Sequence, residues 1–147
     1  MSRIISLLVC LLVLSCAPNS VFNPDEVQLR KHKALWESHG IVNYTVTQQI
    51  SCFCLREFTL PKVLVIENNK VIRVNDASFS QEVHFNRLTI DQAFEFIREQ
   101  LLTSPAVVRI SYDETYGFPT SIYFDLDERI ADEEINYSYS DFYAFAE

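Results

Sequence analysis

Residues 62–75, KVLVIENNKVIRVN, are two apolar runs divided by Asn68-Asn69. Asparagine tolerates positive φ, and a two-residue turn that needs it joins antiparallel strands. The stretch therefore reads as a hairpin, Val63 to Glu67 and Lys70 to Asn75, with Glu67 opposite Lys70, Val65 opposite Ile72 and Val63 opposite Val74. A connection this short excludes a parallel crossover and sets the character of the sheet.

Before the hairpin runs a long alternating segment. Val42, Tyr44, Val46, Ile50, Cys52 and Cys54 share one face, and Asn43, Thr45, Thr47, Gln49 and Ser51 the other. Arg56 to Pro61 is a loop. Further upstream, Asn23-Pro24 with Glu26 three residues after the cap starts a helix over about 24–39, stopped by Gly40. Phe22 and Val27 are spaced for a hydrophobic staple. Leu29, His32, Leu35, Trp36 and His39 follow one helical face, which places Trp36 in the core.

Downstream, residues 76–88 lack periodicity and read as a loop. Thr89 with Gln92 is a capping box for a helix to about residue 102. Its apolar face carries Ile90, Ala93, Phe94, Ile97 and Leu101. Three more strands follow, marked by Ala106, Val108, Ile110 and Tyr112, by Ile122, Phe124 and Leu126, and by Ile135, Tyr137, Tyr139 and Tyr143. The order α-β-β-β-α-β-β-β predicts an α+β fold: a mainly antiparallel sheet of about six strands with two amphipathic helices on one face.

The N-terminal end has a different character. MSRIISLLVCLLVLS combines Arg3, an apolar run from Ile4 to Leu14 and the small Ser15, the pattern of a secretory signal. The run is short of the ~20 residues that span a membrane. Val13-Leu14-Ser15-Cys16 resembles the lipobox of bacterial lipoprotein precursors, with Val in place of the more usual Leu. The resemblance implies cleavage before Cys16 and a lipid on that cysteine. It divides the chain into a signal at 1–15, a lipidated cysteine and tether at 16–22, and one domain at 23–147. The implied partner is a membrane, reached through the N-terminal lipid. Ala17, rather than Asp, after the cysteine implies the outer membrane in a host that has two.

The chain carries a net charge of −8. Residues 16–112 hold ten acids and ten bases, whereas residues 113–147 hold ten acids and Arg129 alone. All the net charge of the mature chain thus lies in its last 35 residues. That acidic end disfavours nucleic acid and anionic head groups as partners. It leaves a cation or a basic protein surface open.

Trp36, Asn43-Tyr44, Cys52-Phe53-Cys54, Tyr112-Asp113, Tyr116-Gly117-Phe118-Pro119, Asp132-Glu133 and Tyr137-Ser138-Tyr139 together resemble the bacterial family called domain of unknown function 6174. The likeness runs over roughly residues 34–143. The family implies one domain, often on lipoproteins or secreted proteins, and no known activity.

Few residues carry recognisable chemistry. Once the signal is removed, Cys52 and Cys54 are the remaining candidate thiols, in a compartment that permits disulfides. On a regular strand their Cα atoms stand ~6.6 Å apart, so a bridge requires a bend. Three readings stand open: a structural clip, two free buried cysteines, and a redox or Cu(I) site. Zinc needs two further ligands that no nearby residue supplies. Asp125-Leu126-Asp127-Glu128 with Asp132-Glu133-Glu134 fails the EF-hand pattern, since Arg129 and Ile130 take key positions, and reads as a solvated turn. His32 and His39 lie ~10.5 Å apart along one helix, too far to share a metal, and His84 stands alone.

Gly40 and Gly117 are the only glycines, which excludes Gly-rich phosphate loops and the Gly-x-Ser-x-Gly elbow. No pattern marks a catalytic residue, a cofactor site or a metal site. Ten of the nineteen aromatics fall between Tyr112 and Phe145, as expected of core and cross-strand pairs. The expectation is a membrane-anchored envelope lipoprotein that binds or assembles without catalysis, with a protein partner in the envelope. The alternative is a thiol-redox or copper-handling protein using Cys52 and Cys54. A third reading presents the acidic, aromatic C-terminal third to a basic surface.

Overall fold

The computed structural model describes residues 23–84, 86–130 and 132–146. Cys16, the signal and the Phe22 half of the staple lie outside the described residues. Helix α1 spans Pro24–Ser38 and starts as its sequence directs: Asn23 Oδ1 accepts from the amides of Asp25 (3.0 Å) and Glu26 (3.4 Å). The long helix α4, Ile90–Leu102, opens with the full capping box. Thr89 Oγ1 accepts from the Gln92 amide, and Gln92 Oε1 accepts from the Thr89 amide.

The strands are β1 Tyr44–Ser51, β2 Lys62–Glu67, β3 Lys70–Val74, β4 Ala77–Ser78, β5 Val107–Tyr112, β6 Pro119–Asp125 and β7 Ile135–Ala144. They form one sheet in the order β4-β3-β2-β1-β7-β6-β5, every pair antiparallel. Each half is a meander, and the halves join where β1 meets β7. The fold is α+β, with one strand more than expected. Ala77–Ser78 pairs with β3 inside the segment read as a loop. That segment also holds the one-turn helix α3, Gln81–His84, and the Arg56 to Pro61 loop contains another, α2 Arg56–Thr59. Units of two to four residues are too short to show a period.

Both long helices cover the same face. They are tied to each other by Lys33 Nζ to Glu95 Oε1 and by Trp36 Nε1 donating to Asp91 Oδ1, both at 2.7 Å. Trp36 is 2% exposed and meets Tyr44, Phe118 and Phe142 edge-on, at ring distances of 5.6, 6.3 and 5.8 Å. The core continues through Val46, Ile50, Leu64, Ile66, Ile90, Phe94, Ile97, Ile122 and Phe124.

Three details depart from simple alternation. Asn68 and Asn69 do form the turn, both at positive φ, and Glu67 faces Lys70. A bulge between Val65 and Ile66 then shifts the hairpin, so Val65 faces Arg73 and Leu64 faces Val74. In β7, Asp141 at φ 51 lies within a second bulge, where Thr45 faces Tyr143 but Thr47 faces Ser140. Phe142, not Tyr143, therefore turns inward to pack on Phe118. Asn43, assigned to the outer face, is buried: its side-chain oxygen accepts from the Asn68 amide at 2.8 Å and locks the hairpin turn.

Candidate functional site

Strand β1 stops at Ser51, three residues earlier than its alternation suggests. The Cys54 amide donates to the Cys52 carbonyl at 2.9 Å, a three-residue turn that ends the extended run. The Cα atoms of Cys52 and Cys54 come to 5.3 Å, and their sulfurs are joined in a disulfide. The bend also separates the two environments. Cys52 stays half-buried against the core, whereas Cys54 is exposed, which corrects the placement of both on a buried strand face. Phe53 at the tip is 81% exposed and Leu55 67%.

Beside this turn opens a cleft of about 510 Å³, lined by Ile50, Cys52, Cys54, Leu55, Phe58, Asn86, Ile135 and Tyr137. None of these side chains is charged. Its floor is the end of the core, Ile50 and Tyr137, and its outer wall is Leu55 with Phe58 of α2. A four-residue helix does not hold itself in place. Arg87 fixes it: Nη2 donates to the Phe58 carbonyl at 2.9 Å and Nη1 to the Gln48 carbonyl at 3.3 Å. The first bond takes a carbonyl of α2, and the second fastens the clamp to the central strand. Arg87 is 5% exposed and has no carboxylate within ion-pair distance among the described residues; burial holds its guanidinium below its ordinary pKa.

Gln48 supports the same corner from within. It is fully buried, and Nε2 donates to the Leu88 carbonyl at 3.1 Å and the Tyr139 hydroxyl at 2.8 Å. Burial pushes the Tyr139 phenol well above its usual pKa, so it stays neutral as Gln48's acceptor. Gln48 is in phase with Val46 and Ile50 on β1, so strand parity alone points to it. Arg87 sits where the sequence shows no period, and nothing there signals burial.

The other sequence candidates are dispersed. His32 stacks flat on Tyr112 at 4.2 Å, His39 Nε2 contacts the Thr115 carbonyl at 3.0 Å, and His84 Nδ1 accepts from the Ser80 amide at 3.1 Å. In the acidic stretch, Asp127 turns back on Arg129 through two side-chain bonds, which hold its carboxyl below the ordinary value. No group of three or more His, Cys, Asp or Glu is arranged to hold a metal among the described residues. With the sulfurs joined, neither cysteine offers a thiolate to a soft metal. No described helix is long and apolar enough to cross a membrane.

Residues 28–144 match the family model described as "Family of unknown function (DUF6174)". The chain belongs to this family. The match runs from α1 to the end of β7 and includes the Cys52-Phe53-Cys54 turn and the cleft. No curated protein and no solved structure was found to match the chain.

Proposed function

We propose that this member of the DUF6174 family is a lipid-anchored envelope lipoprotein that works as a binding module. Its cleft beside Cys52–Cys54 receives an uncharged, apolar segment of a partner protein. The observation that carries this reading is the cleft itself: eight uncharged residues around about 510 Å³, with Phe53 and Leu55 standing out at its edge. Exposed apolar side chains gathered round a concavity are the usual mark of a binding surface. In a chain of net charge −8, a lining whose described residues are all uncharged selects against charged ligands. The anchor rests on the apolar run ending in Val13-Leu14-Ser15-Cys16.

Two measurements test the two parts. Intact-mass analysis of protein extracted from membranes should show an acylated N-terminal Cys16, and Cys16→Ser should leave the precursor uncleaved or release soluble protein. An unmodified, water-soluble wild type defeats the anchor. For the cleft, the probe is a fluorescent eight-residue peptide rich in Leu and Phe, without charge or cysteine. It should bind saturably at one site, and Leu55→Asp should weaken it about tenfold or more, the order expected when a charge is set in an apolar contact. Leu55 is exposed, so this variant keeps the fold. Binding unchanged by Leu55→Asp, or no saturable binding, removes the cleft reading.

A further inference from the structure

The cleft has a reactive wall. From its geometry we propose that the Cys52–Cys54 disulfide captures a partner covalently and reversibly, through a thiol in the apolar segment that the cleft receives. The inference rests on the cleft reading above and adds the chemical class of partner: a cysteine-bearing, uncharged, apolar peptide segment.

Three observations converge on it. Both cysteines line the cleft, so a bound segment lies against the disulfide. The pair is asymmetric: Cys54 is exposed, while Cys52 packs against the core. The disulfide also holds little of the fold together, since it closes a loop of only three residues and opening it releases little chain entropy. An accessible disulfide of this kind is the labile type in thiol exchange.

The step balances without an outside oxidant or reductant. The partner's thiolate attacks Sγ of Cys54. A new sulfur–sulfur bond forms, the Cys52–Cys54 bond breaks, and Cys52 leaves as a thiolate that takes a proton from water. The partner's sulfur is oxidised and that of Cys52 reduced. In the reverse step Cys52, held by the core within reach of Cys54, attacks the same Sγ and expels the partner's thiolate. Among the described residues no carboxylate lines the cleft, so the incoming thiolate meets no like charge from them there. Asp132 and Glu134 lie instead on the other side of the Cys52-Phe53 segment, around a second hollow shared with Ser51 and Asn136. Anionic thiols approaching from that side are repelled, which sets an apolar peptide apart from a small charged thiol such as glutathione.

The test uses wild-type protein and the same eight-residue probe with one Leu replaced by Cys. Reaction at pH 7.5 is stopped by alkylation and read by intact mass and peptide mapping. The expected product has the summed mass of protein and peptide plus one alkyl group on Cys52, with the peptide on Cys54. Its yield should exceed that from glutathione, or from a peptide with Asp and Ser around the cysteine, about tenfold at equal concentration. Leu55→Asp should lower it in parallel with binding of the cysteine-free probe. If the cysteine-free peptide binds but no adduct forms, the covalent step is wrong and the cleft reading stands. An adduct on Cys52, or equal yields from apolar and charged thiols, overturns the inference as well. If the cysteine-free peptide fails to bind, the cleft reading itself has failed.

Discussion

The carbonyl oxygen of His32 lies 2.5 Å from where a Cβ at Gly117 would stand. Gly117 sits under the last turns of α1, with the backbone amide of Trp36 at 3.0 Å from the same point, and its φ is +85°. A side chain there meets helix backbone, which cannot move aside. Gly117→Ala should cost about 2–5 kcal/mol, left-handed strain and overpacking together. Gly40 is the contrast: it has φ +61° and, among the described residues, nothing within 4 Å of its Cβ position. Gly40→Ala should cost only about 1 kcal/mol. Urea melts of the two variants measure the difference, and equal losses would contradict the close approach at Gly117.

Trp36 is the second test of the helix–sheet contact. Trp36→Ala removes a ring held by Tyr44, Phe118 and Phe142 and should cost about 3–5 kcal/mol. Trp36→Phe keeps most of the packing but leaves Asp91 without its 2.7 Å donor. It should cost about 1–2 kcal/mol. A loss under half a kcal/mol for Trp36→Ala in denaturant melts would mean the residue is not in the core.

His32 gives a pH dependence. Burial first, then Lys31 nearby, lowers its pKa from 6.5; the ring stacks flat on Tyr112, and its Nδ1 has no hydrogen-bond partner among the described residues. The unfolded chain therefore takes up the proton before the folded one does. The stability due to neutral His32 is complete above pH 6.5 and falls as pH drops from there toward the lowered folded value. Glu95 and Asp127, held below 4.5 and 3.8 by their basic partners, act only at more acid pH. Between pH 7.5 and 5, melting temperature should fall more steeply for wild type than for His32→Phe. Parallel curves would remove the assignment.

Arg87 joins the cleft wall to the central strand. Arg87→Met keeps the length of the stem and loses both bonds, to the carbonyls of Gln48 and Phe58. Hydrogen exchange over residues 55–60 should accelerate, with α4 unchanged, and the apolar probe should bind more weakly. Unchanged exchange in that segment would mean α2 is held by its own packing.

The sequence by itself determined the two long helices, the turn and the antiparallel plan of the sheet. Those features are local: Asn23 and Thr89 satisfy the amides next to them, Asn68-Asn69 bends the chain where it stands, and alternation writes burial into β1. Only the tertiary structure decided where alternation breaks. The bulge at Asp141 depends on β1 lying beside β7, strands about ninety residues apart, and it turns Phe142 inward in place of Tyr143. The cleft was hidden for the same reason. Cys52 and Cys54 read as a continuing strand until the turn bent them out of the sheet. Arg87 became structural only when folding brought it beside the carbonyls of Gln48 and Phe58. A contact between distant segments leaves no period in either of them, because what selects the residue is the partner it meets, and that partner exists only once the chain has closed.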